Sequence, residues 1–350
     1  MDTEIIIFSY DFSRRGGVEN VCILLAESLS ELAKVSLLDI ENKCSNNGDF
    51  SRVPFESLGI TSNLKTYRFF KTIFLLGKRI KRSRKPQICI GTSWYLILVL
   101  VLARWICKAK ITIVSWEHKQ FRDFSDRDKR LMKYIYSFID GFVVLDDNSM
   151  RRESCPGVVI ENIRTIQEIP LSRTTSENII VAVGRLDDNK AFDRLLIAFA
   201  SLEFSQENWM LHIYGDGPNK DKLELLVEQL RISRRVSLKG YERNKNLIYG
   251  SASIFCMTSY SEGVPCVLIE ALTFKIPVLA FELESYSTIL TNSNSIMVSQ
   301  KCQDDFNENL QRMVSDYNLR QSLSTGLSDT GYGKKDIVTR RWIGFLETYV

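Results

Sequence analysis

Two cations and two carboxylates in the second half of the 350-residue chain have types and spacing that suggest chemistry. Val181-Ala182-Val183-Gly184-Arg185-Leu186 reads as a strand running into a loop, and Lys190 follows just ahead of a helical segment from Phe192 to Leu202. A strand end that delivers a guanidinium and an ammonium suits a diphosphate, because arginine forks two oxygens while lysine acts as a point charge. Solvated loop charges would explain Arg185 alone equally well, and the shared placement of Arg185 and Lys190 tips the balance toward the anion. Further on, Ser261-Glu262-Gly263-Val264-Pro265-Cys266-Val267-Leu268-Ile269-Glu270 puts one carboxylate just before a helix opened by Pro265 and a second inside it. Free N–H groups at a helix start attract phosphate, whereas a carboxylate beside phosphate repels it. Glu262 and Glu270 therefore suit sugar hydroxyls better than phosphate or a divalent metal. The helix macrodipole would explain Glu262 as an ordinary N-terminal charge, but not Glu270, which follows an apolar run.

Two features of the first half could join them. Ser13-Arg14-Arg15-Gly16-Gly17-Val18-Glu19 follows the first strand and opens a helix with Val21, Cys22, Leu25 and Leu29 at helical spacing. Gly16 and Gly17 let a ligand approach the backbone, although a Gly-Gly turn is also common for steric reasons. Trp116-Glu117-His118 follows the strand Ile111 to Ser115, so His118 reads either as a contact to a transferred group or as a structural histidine; His212, inside a strand, reads as packed. Competing chemistries lack support. Gly215-Asp216-Gly217-Pro218 misses the third glycine of a dinucleotide fingerprint, no P-loop is complete, and Asp126-Arg127-Asp128 reads as an exposed helix start. No metal and no cofactor are expected.

These residues need a frame. Short β-branched runs alternate with amphipathic helical segments, the pattern of βα units in parallel sheets. Strands are expected at Glu4 to Phe8, Val35 to Ile40, Gln87 to Ile90, Ile111 to Ser115, Gly141 to Leu145 and Val158 to Ile160. In the second half they are expected at Ile179 to Val183, Met210 to Tyr214, Val236 to Leu238, Ser253 to Cys256, Pro277 to Ala280 and Ile296 to Val298. The polar stretch 167–178 has linker composition, which divides the chain into domains at 1–166 and 179–332 with a terminal helical segment at 333–350. Two such domains joined by a hinge leave a cleft between the carboxyl ends of their strands, where sheets of this kind bind ligands.

Charge is uneven: the net +4 divides into +7 for residues 1–165 and −3 for the rest. From Lys65 to Lys85 nine cations and no acid surround Tyr67, Phe69, Phe70, Ile73, Phe74, Leu75 and Leu76. This reads as a basic amphipathic surface for anionic lipid, with a solvated helix face as the competing reading; nucleic acid is disfavoured for want of a binding motif. The uncharged run 86–103 is interrupted by Gln87, Gly91, Thr92 and Ser93, so it is expected as strand, turn and buried helix, not as a membrane span. Eight cysteines without a C-x-x-C pair, several within apolar runs, suit reduced thiols, and the amino terminus lacks a basic, apolar signal. A cytoplasmic protein is expected, peripheral on the cytoplasmic face of the inner membrane if the basic segment docks.

Taken together the residues resemble the retaining glycosyltransferases of family 4, also called glycosyl transferases group 1, over nearly the whole chain. The most specific element is the Glu-x7-Glu signature at Glu262 and Glu270; Gly184-Arg185-Leu186 with Lys190, the loop Gly16, Gly17, Glu19, the turn Gly215, Gly217, Pro218, and Asn162 match others. The resemblance implies an α/β fold of two Rossmann-like domains with parallel sheets facing across a cleft, the GT-B arrangement. It implies a donor domain in which Arg185 and Lys190 bind the diphosphate of a nucleotide sugar, Glu270 the ribose and Glu262 the hexose. His118 would touch the sugar, and the backbone around Gly240 and Tyr241 would read the base. Gly263, Val264, Pro265, Val267 and Leu268 complete the expected donor pocket, and the acceptor, a glycan or glycolipid, would sit on the first domain. Ala191 stands where the family usually has glycine, and Glu284-Ser285-Tyr286-Ser287 replaces a common Gly-Pro-Ser-Glu-like run. A non-hydrolysing nucleotide-sugar epimerase and a non-catalytic partner of another glycosyltransferase are the competing functions.

Overall fold

The structure, a computed structural model, describes residues 3–12, 17–41, 53–61, 64–83, 85–118, 124–145, 155–166, 178–203, 208–287, 289–324 and 332–349. The chain forms two compact units, one of residues 1–165 together with 333–350, the other of residues 166–332. Gly16 and nearly all of the expected linker lie outside the described residues.

The first unit runs β1 (Glu4–Phe8), α1 (Gly17–Ser30), β2 (Lys34–Asp39), β3 (Phe55–Ser57), α2 (Lys65–Arg82), β4 (Gln87–Gly91), α3 (Trp94–Ile106), β5 (Thr112–Trp116), α4 (Asp126–Tyr136), β6 (Gly141–Val144) and β7 (Gly157–Val159). All seven strands pair in parallel, in the order β3-β2-β1-β4-β5-β6-β7. Every residue of β1 and β4 is buried, which is why these strands read as continuous apolar runs and not as alternating ones. Helix α3 is apolar around most of its surface and packs into the core through Leu96, Ile97, Val99 and Leu100, as expected of a helix rather than a membrane span. Among the described residues no helix is long and apolar enough to cross a membrane. At the start of α4 the Ser125 hydroxyl accepts the Asp128 N–H at 3.1 Å, and Asp126 and Asp128 occupy the first turn, where negative charge meets the positive helix end.

Strand β3 was not among the expected strands. Phe-Glu-Ser carries no apolar alternation, and its pairing rests on backbone bonds, with the Leu37 N–H bonded to Pro54 O and the Leu58 N–H to Asp39 O. Helix α2 sorts its charges in a way that composition hides. Arg68 turns inward to Glu41 at 2.7 Å, and Arg79 bonds Glu4 and Glu56, while Lys65, Lys78, Lys81, Arg82 and Lys85 are exposed. Tyr67, Phe70 and Phe74 form an exposed stripe at i, i+3, i+7, opposite the buried Ile73, Leu76 and Ile80. At the end of β2, Asp39 is fully buried with Oδ2 accepting the Phe12 N–H; burial, reinforced by the charges of Asp11 and Glu41, pushes its carboxyl up to about 6.

The second unit runs β8 (Ile179–Val183), α5 (Phe192–Ala200), β9 (Met210–Tyr214), α6 (Lys220–Gln229), β10 (Val236–Gly240), α7 (Lys245–Tyr249), β11 (Ile254–Met257), α8 (Cys266–Thr273), β12 (Val278–Phe281), β13 (Ser295–Val298), α9 (Gln303–Ser315) and α10 (Tyr317–Ser322). Its six strands are also parallel, in the order β10-β9-β8-β11-β12-β13. Phe199, Leu211, Ile213, Phe281, Phe306 and Leu310 build its core. The chain then returns to the first unit through α11 (Lys335–Glu347), where fully buried Trp342 meets Trp116 edge to face at 5.0 Å and Arg341 bonds Glu161. Truncating a buried tryptophan of this kind typically costs ~3–5 kcal/mol.

Candidate functional site

In the second sheet the chain moves outward in opposite directions from β8, to β9 on one side and β11 on the other. The loops after such a pair diverge to opposite faces and leave a crevice at the carboxyl edge. The cations come from the loop after β8 and Glu262 from the loop after β11, so the topology itself brings them together. Lys190 Nζ donates to Glu262 Oε1 at 2.5 Å, with side chains 17% and 14% exposed. The backbone of the two loops is sewn together: the Tyr260 N–H bonds Asn189 O at 2.9 Å, Asn189 Nδ2 bonds Ser261 O at 2.8 Å, and Thr258 Oγ1 bonds Lys190 O at 2.9 Å.

Close backbone contact fixes the loop after β8 on its other side. Gly215 has φ +141°, and a Cβ there would lie 1.8 Å from Gly184 O; a Cβ on Gly217 would lie 2.4 Å from Leu186 O. Glycine at both positions lets the Leu186 N–H reach Asp216 O and the Asn219 N–H reach Leu186 O. The Gly215 N–H in turn bonds Gly240 O at 2.8 Å, so Gly184, Gly215 and Gly240 line up across three strand ends. Lys190 lies across Gly184, where an added Cβ would sit 3.0 Å from its Cε. Ala191 caps α5 in the left-handed conformation, φ 48° and ψ 46°, a position that glycine occupies without strain.

Arg185 is open to solvent: its side chain is 66% exposed, with Nε 3.6 Å from Asp187 Oδ2. Pro265 caps α8, as the sequence suggests, and its carbonyl accepts the Leu268 N–H at 3.1 Å. Leu268 is fully buried, within the first turn of α8. Val264 is also buried; Gly263 and Val267 are partly open, and Tyr241 is exposed at the end of β10. Glu270, 3% exposed, accepts from the Tyr249 hydroxyl at 2.7 Å and from Lys245 Nζ at 2.9 Å.

Sequence reasoning missed Tyr249, Lys245 and Tyr286. The first two lie on α7, more than twenty positions before Glu270, and no spacing rule links them to it. Tyr286 is buried in the turn that departs from the family run; burial, with the nearby charge of Glu262, holds its phenol well above the usual tyrosine range. Cys266, at the start of α8, has its thiol pushed up to about 12 by burial and the Glu270 charge, which leaves it protonated and unreactive at neutral pH.

The remaining predicted residues belong to the first unit. Gly17 opens α1 in free space, with nothing within 4 Å of an added Cβ. His118 follows β5 with its ring 4.4 Å from Trp116; Nε2 is buried with no hydrogen-bond partner, and burial pushes the imidazole down to about 3. It is neutral at physiological pH, so it can take part in hydrogen bonding but cannot supply a positive charge. Asn162 is buried beside the return of the chain at Gly333, whose carbonyl accepts the Arg164 N–H.

Residues 164–326 match the family of glycosyl transferases group 1, so the second unit carries a domain of that family. The chain is 22% identical over 353 residues to the amylovoran biosynthesis glycosyltransferase AmsD of Erwinia amylovora, covering 97% of this chain and 98% of that protein. It is 27% identical over 327 residues to a Campylobacter jejuni alpha-1,4-N-acetyl-D-galactosaminyltransferase acting on a diNAcBac-PP-undecaprenol-linked glycan, covering 88% of each. Among solved structures, HepE of Anabaena in complex with UDP and glucose superposes with a TM-score of 0.79 at 15% identity over 99% of each chain. Sucrose-phosphate synthase of Thermosynechococcus elongatus superposes with a TM-score of 0.82 at 16% identity, also over 99% of each. The α/β fold with two Rossmann-like units is that of the GT-B glycosyltransferases.

Proposed function

We propose that the chain is a retaining glycosyltransferase that moves a hexose from a nucleoside-diphosphate sugar to a glycan acceptor, in surface polysaccharide synthesis. The observation that carries this reading is the pairing of Lys190 with Glu262 at the point where strand order reverses, with Arg185 on the same loop after β8, within a glycosyl transferases group 1 domain. Breaking a sugar–phosphate bond builds positive charge at C1 and negative charge on the departing diphosphate. Preorganised cations at the phosphate lower that barrier, and Arg185 with Lys190 would serve in place of a divalent metal. The exposed guanidinium, whose Nε lies 3.6 Å from Asp187 Oδ2, can fork two phosphate oxygens. Lys190 leaves its carboxylate for the diphosphate, and Glu262 then turns its freed oxygen to the hexose hydroxyls. Glu270 holds the ribose, Tyr241 and Gly240 flank the base, and His118 serves as a neutral hydrogen-bonding contact to the sugar. Front-face attack by the acceptor hydroxyl, with retention at C1, follows from the family resemblance.

The first unit would bind the acceptor, and a lipid-linked glycan is the acceptor class we favour, as in the name of the Campylobacter relative. Helix α2 supports peripheral docking to the cytoplasmic face of a membrane. Four exposed cations, Lys65, Lys78, Lys81 and Arg82, share the helix with its aromatic stripe, each worth on the order of 1 kcal/mol near an anionic surface and screened by salt. A panel of nucleotide sugars assayed for donor hydrolysis and transfer tests the function. Hydrolysis or transfer from one donor is expected; conversion of the sugar without hydrolysis or acceptor would establish an epimerase instead. Vesicle sedimentation tests docking: Phe70→Ser/Phe74→Ser should lose binding to phosphatidylserine-containing vesicles at low salt, and wild-type protein that never sediments with them ends the membrane reading.

A further inference from the structure

Glu270 is held from two sides that differ in permanence. On the inner side Tyr249, fully buried on α7, donates to Oε2 at 2.7 Å, and its ring packs against Phe255 and Phe274 with centroids 6.1 and 5.4 Å away. The phenol cannot leave without opening the core. On the outer side Lys245 Nζ lies 2.8 Å from Oε1 and 2.9 Å from Oε2, and 32% of that side chain is exposed. Both partners ride on one short helix whose start is fixed by Asn244, the side chain of which accepts the N–H groups of Asn246 and Leu247. Burial and the adjoining carboxylate keep the Tyr249 hydroxyl protonated, a permanent donor.

A buried carboxylate stripped of its partners is costly, so any ligand that reaches Glu270 must replace what it displaces. A pair of vicinal hydroxyls supplies two O–H donors, the number that Lys245 now supplies. We propose that Tyr249 is a positioning residue for Glu270, and that Lys245 is an exchangeable counter-ion whose place is taken by the ribose 2′,3′-diol of a nucleoside diphosphate. This rests on the donor-site reading above. Tyr249 fixes the rotamer of the carboxylate, so the lone pairs vacated by the ammonium face the incoming diol. A ribonucleotide therefore meets a counter-ion that has to be moved aside, whereas a nucleotide without the diol leaves the ion pair in place.

The test is calorimetric binding of UDP, GDP and ADP, and of their 2′,3′-dideoxy counterparts, to the full chain and to Tyr249→Phe and Lys245→Met. The wild type is expected to prefer the ribonucleotide by at least about tenfold, what remains of a pair of charge-assisted hydrogen bonds once the Lys245 pair they replace has been broken. Tyr249→Phe keeps the ring and its packing, and should bring that ratio below about threefold with the dideoxy affinity unchanged. A tyrosine needed only for structure would weaken both nucleotides alike and preserve the ratio, which overturns the proposal. Lys245→Met should tighten the ribonucleotide by roughly threefold or more without moving its dideoxy analogue, because no resident ion has to be displaced. Equal weakening of both would assign Lys245 to phosphate and overturn the exchange, and this variant decides the matter if Tyr249→Phe does not fold. A wild type that binds none of the three diphosphates refutes the donor site itself, an outcome distinct from an unchanged ribose preference in a protein that binds.

Discussion

Replacing Lys190 by methionine separates what its ammonium does for the fold from what it does for a ligand. At the observed 2.5 Å to Glu262 the Coulomb attraction is roughly 7 kcal/mol at an effective dielectric of 20. Both groups are hydrated in the unfolded chain and give back most of that, and both keep some access to water in the folded one. Removing either partner should therefore cost about 1–3 kcal/mol, the price of leaving a largely buried charge unpaired. Urea unfolding of Lys190→Met, Glu262→Gln and the double variant would show the double variant recovering about 1 kcal/mol or more relative to the sum of the singles. Activity should not follow stability. Donor turnover of Lys190→Met is expected to fall by about a hundredfold to a thousandfold, the usual cost of removing one preorganised charge contact, and to stay low in the double variant, because the diphosphate still lacks its cation. Recovery of turnover together with stability would mean that Lys190 serves only the carboxylate, and would refute the assignment to the diphosphate. Strictly additive stability costs would refute the pairing.

Arg185→Ala should lower turnover by about a hundredfold or more while shifting stability by less than ~0.5 kcal/mol, since the side chain is largely exposed; activity and urea midpoints measured together check this. Asp39 carries a pH signature. Its carboxyl is raised from an unfolded value of 3.8 to about 6, so the folded state binds the extra proton and this residue's contribution falls as pH rises between those values. A rise of that size corresponds to about 3 kcal/mol, and the stability difference between Asp39→Asn and wild type should change by an amount of that order from about pH 4 to about pH 7; a flat difference contradicts it. Ala191→Gly should raise stability by roughly 0.5–1 kcal/mol in thermal or urea unfolding, as relief of left-handed strain outweighs the added freedom of glycine in the unfolded chain.

The sequence makes strand positions legible because doubly buried strands must be apolar: β1, β8 and β9 match their expected bounds, and the others are displaced by a residue or two. It fails at β3, where pairing is carried by backbone atoms that leave no side-chain signature. At the site, the placement of Arg185 and Lys190 after β8 was readable from strand-end position, and Pro265 from its helix-opening geometry. What those groups touch was not. Charges expected to face a ligand can neutralise one another first, as Lys190 and Glu262 do, and a carboxylate such as Glu270 can take partners from an element that no local periodicity connects to it. The same limit applies to α2, whose uniform basic composition conceals that Arg68 and Arg79 are used to anchor the helix inward.

The first unit is discontinuous in the chain, and its final helix, α11, is separated from the rest by the whole of the second unit. During synthesis the ribosome therefore releases the seven-stranded sheet long before the helix that covers Trp116, while residues 166–332 emerge as one uninterrupted block. The earlier-made half must wait, with apolar surface uncovered, for the later-made half to be completed. Nascent-chain aggregation and chaperone dependence should accordingly concentrate on the amino-terminal sheet.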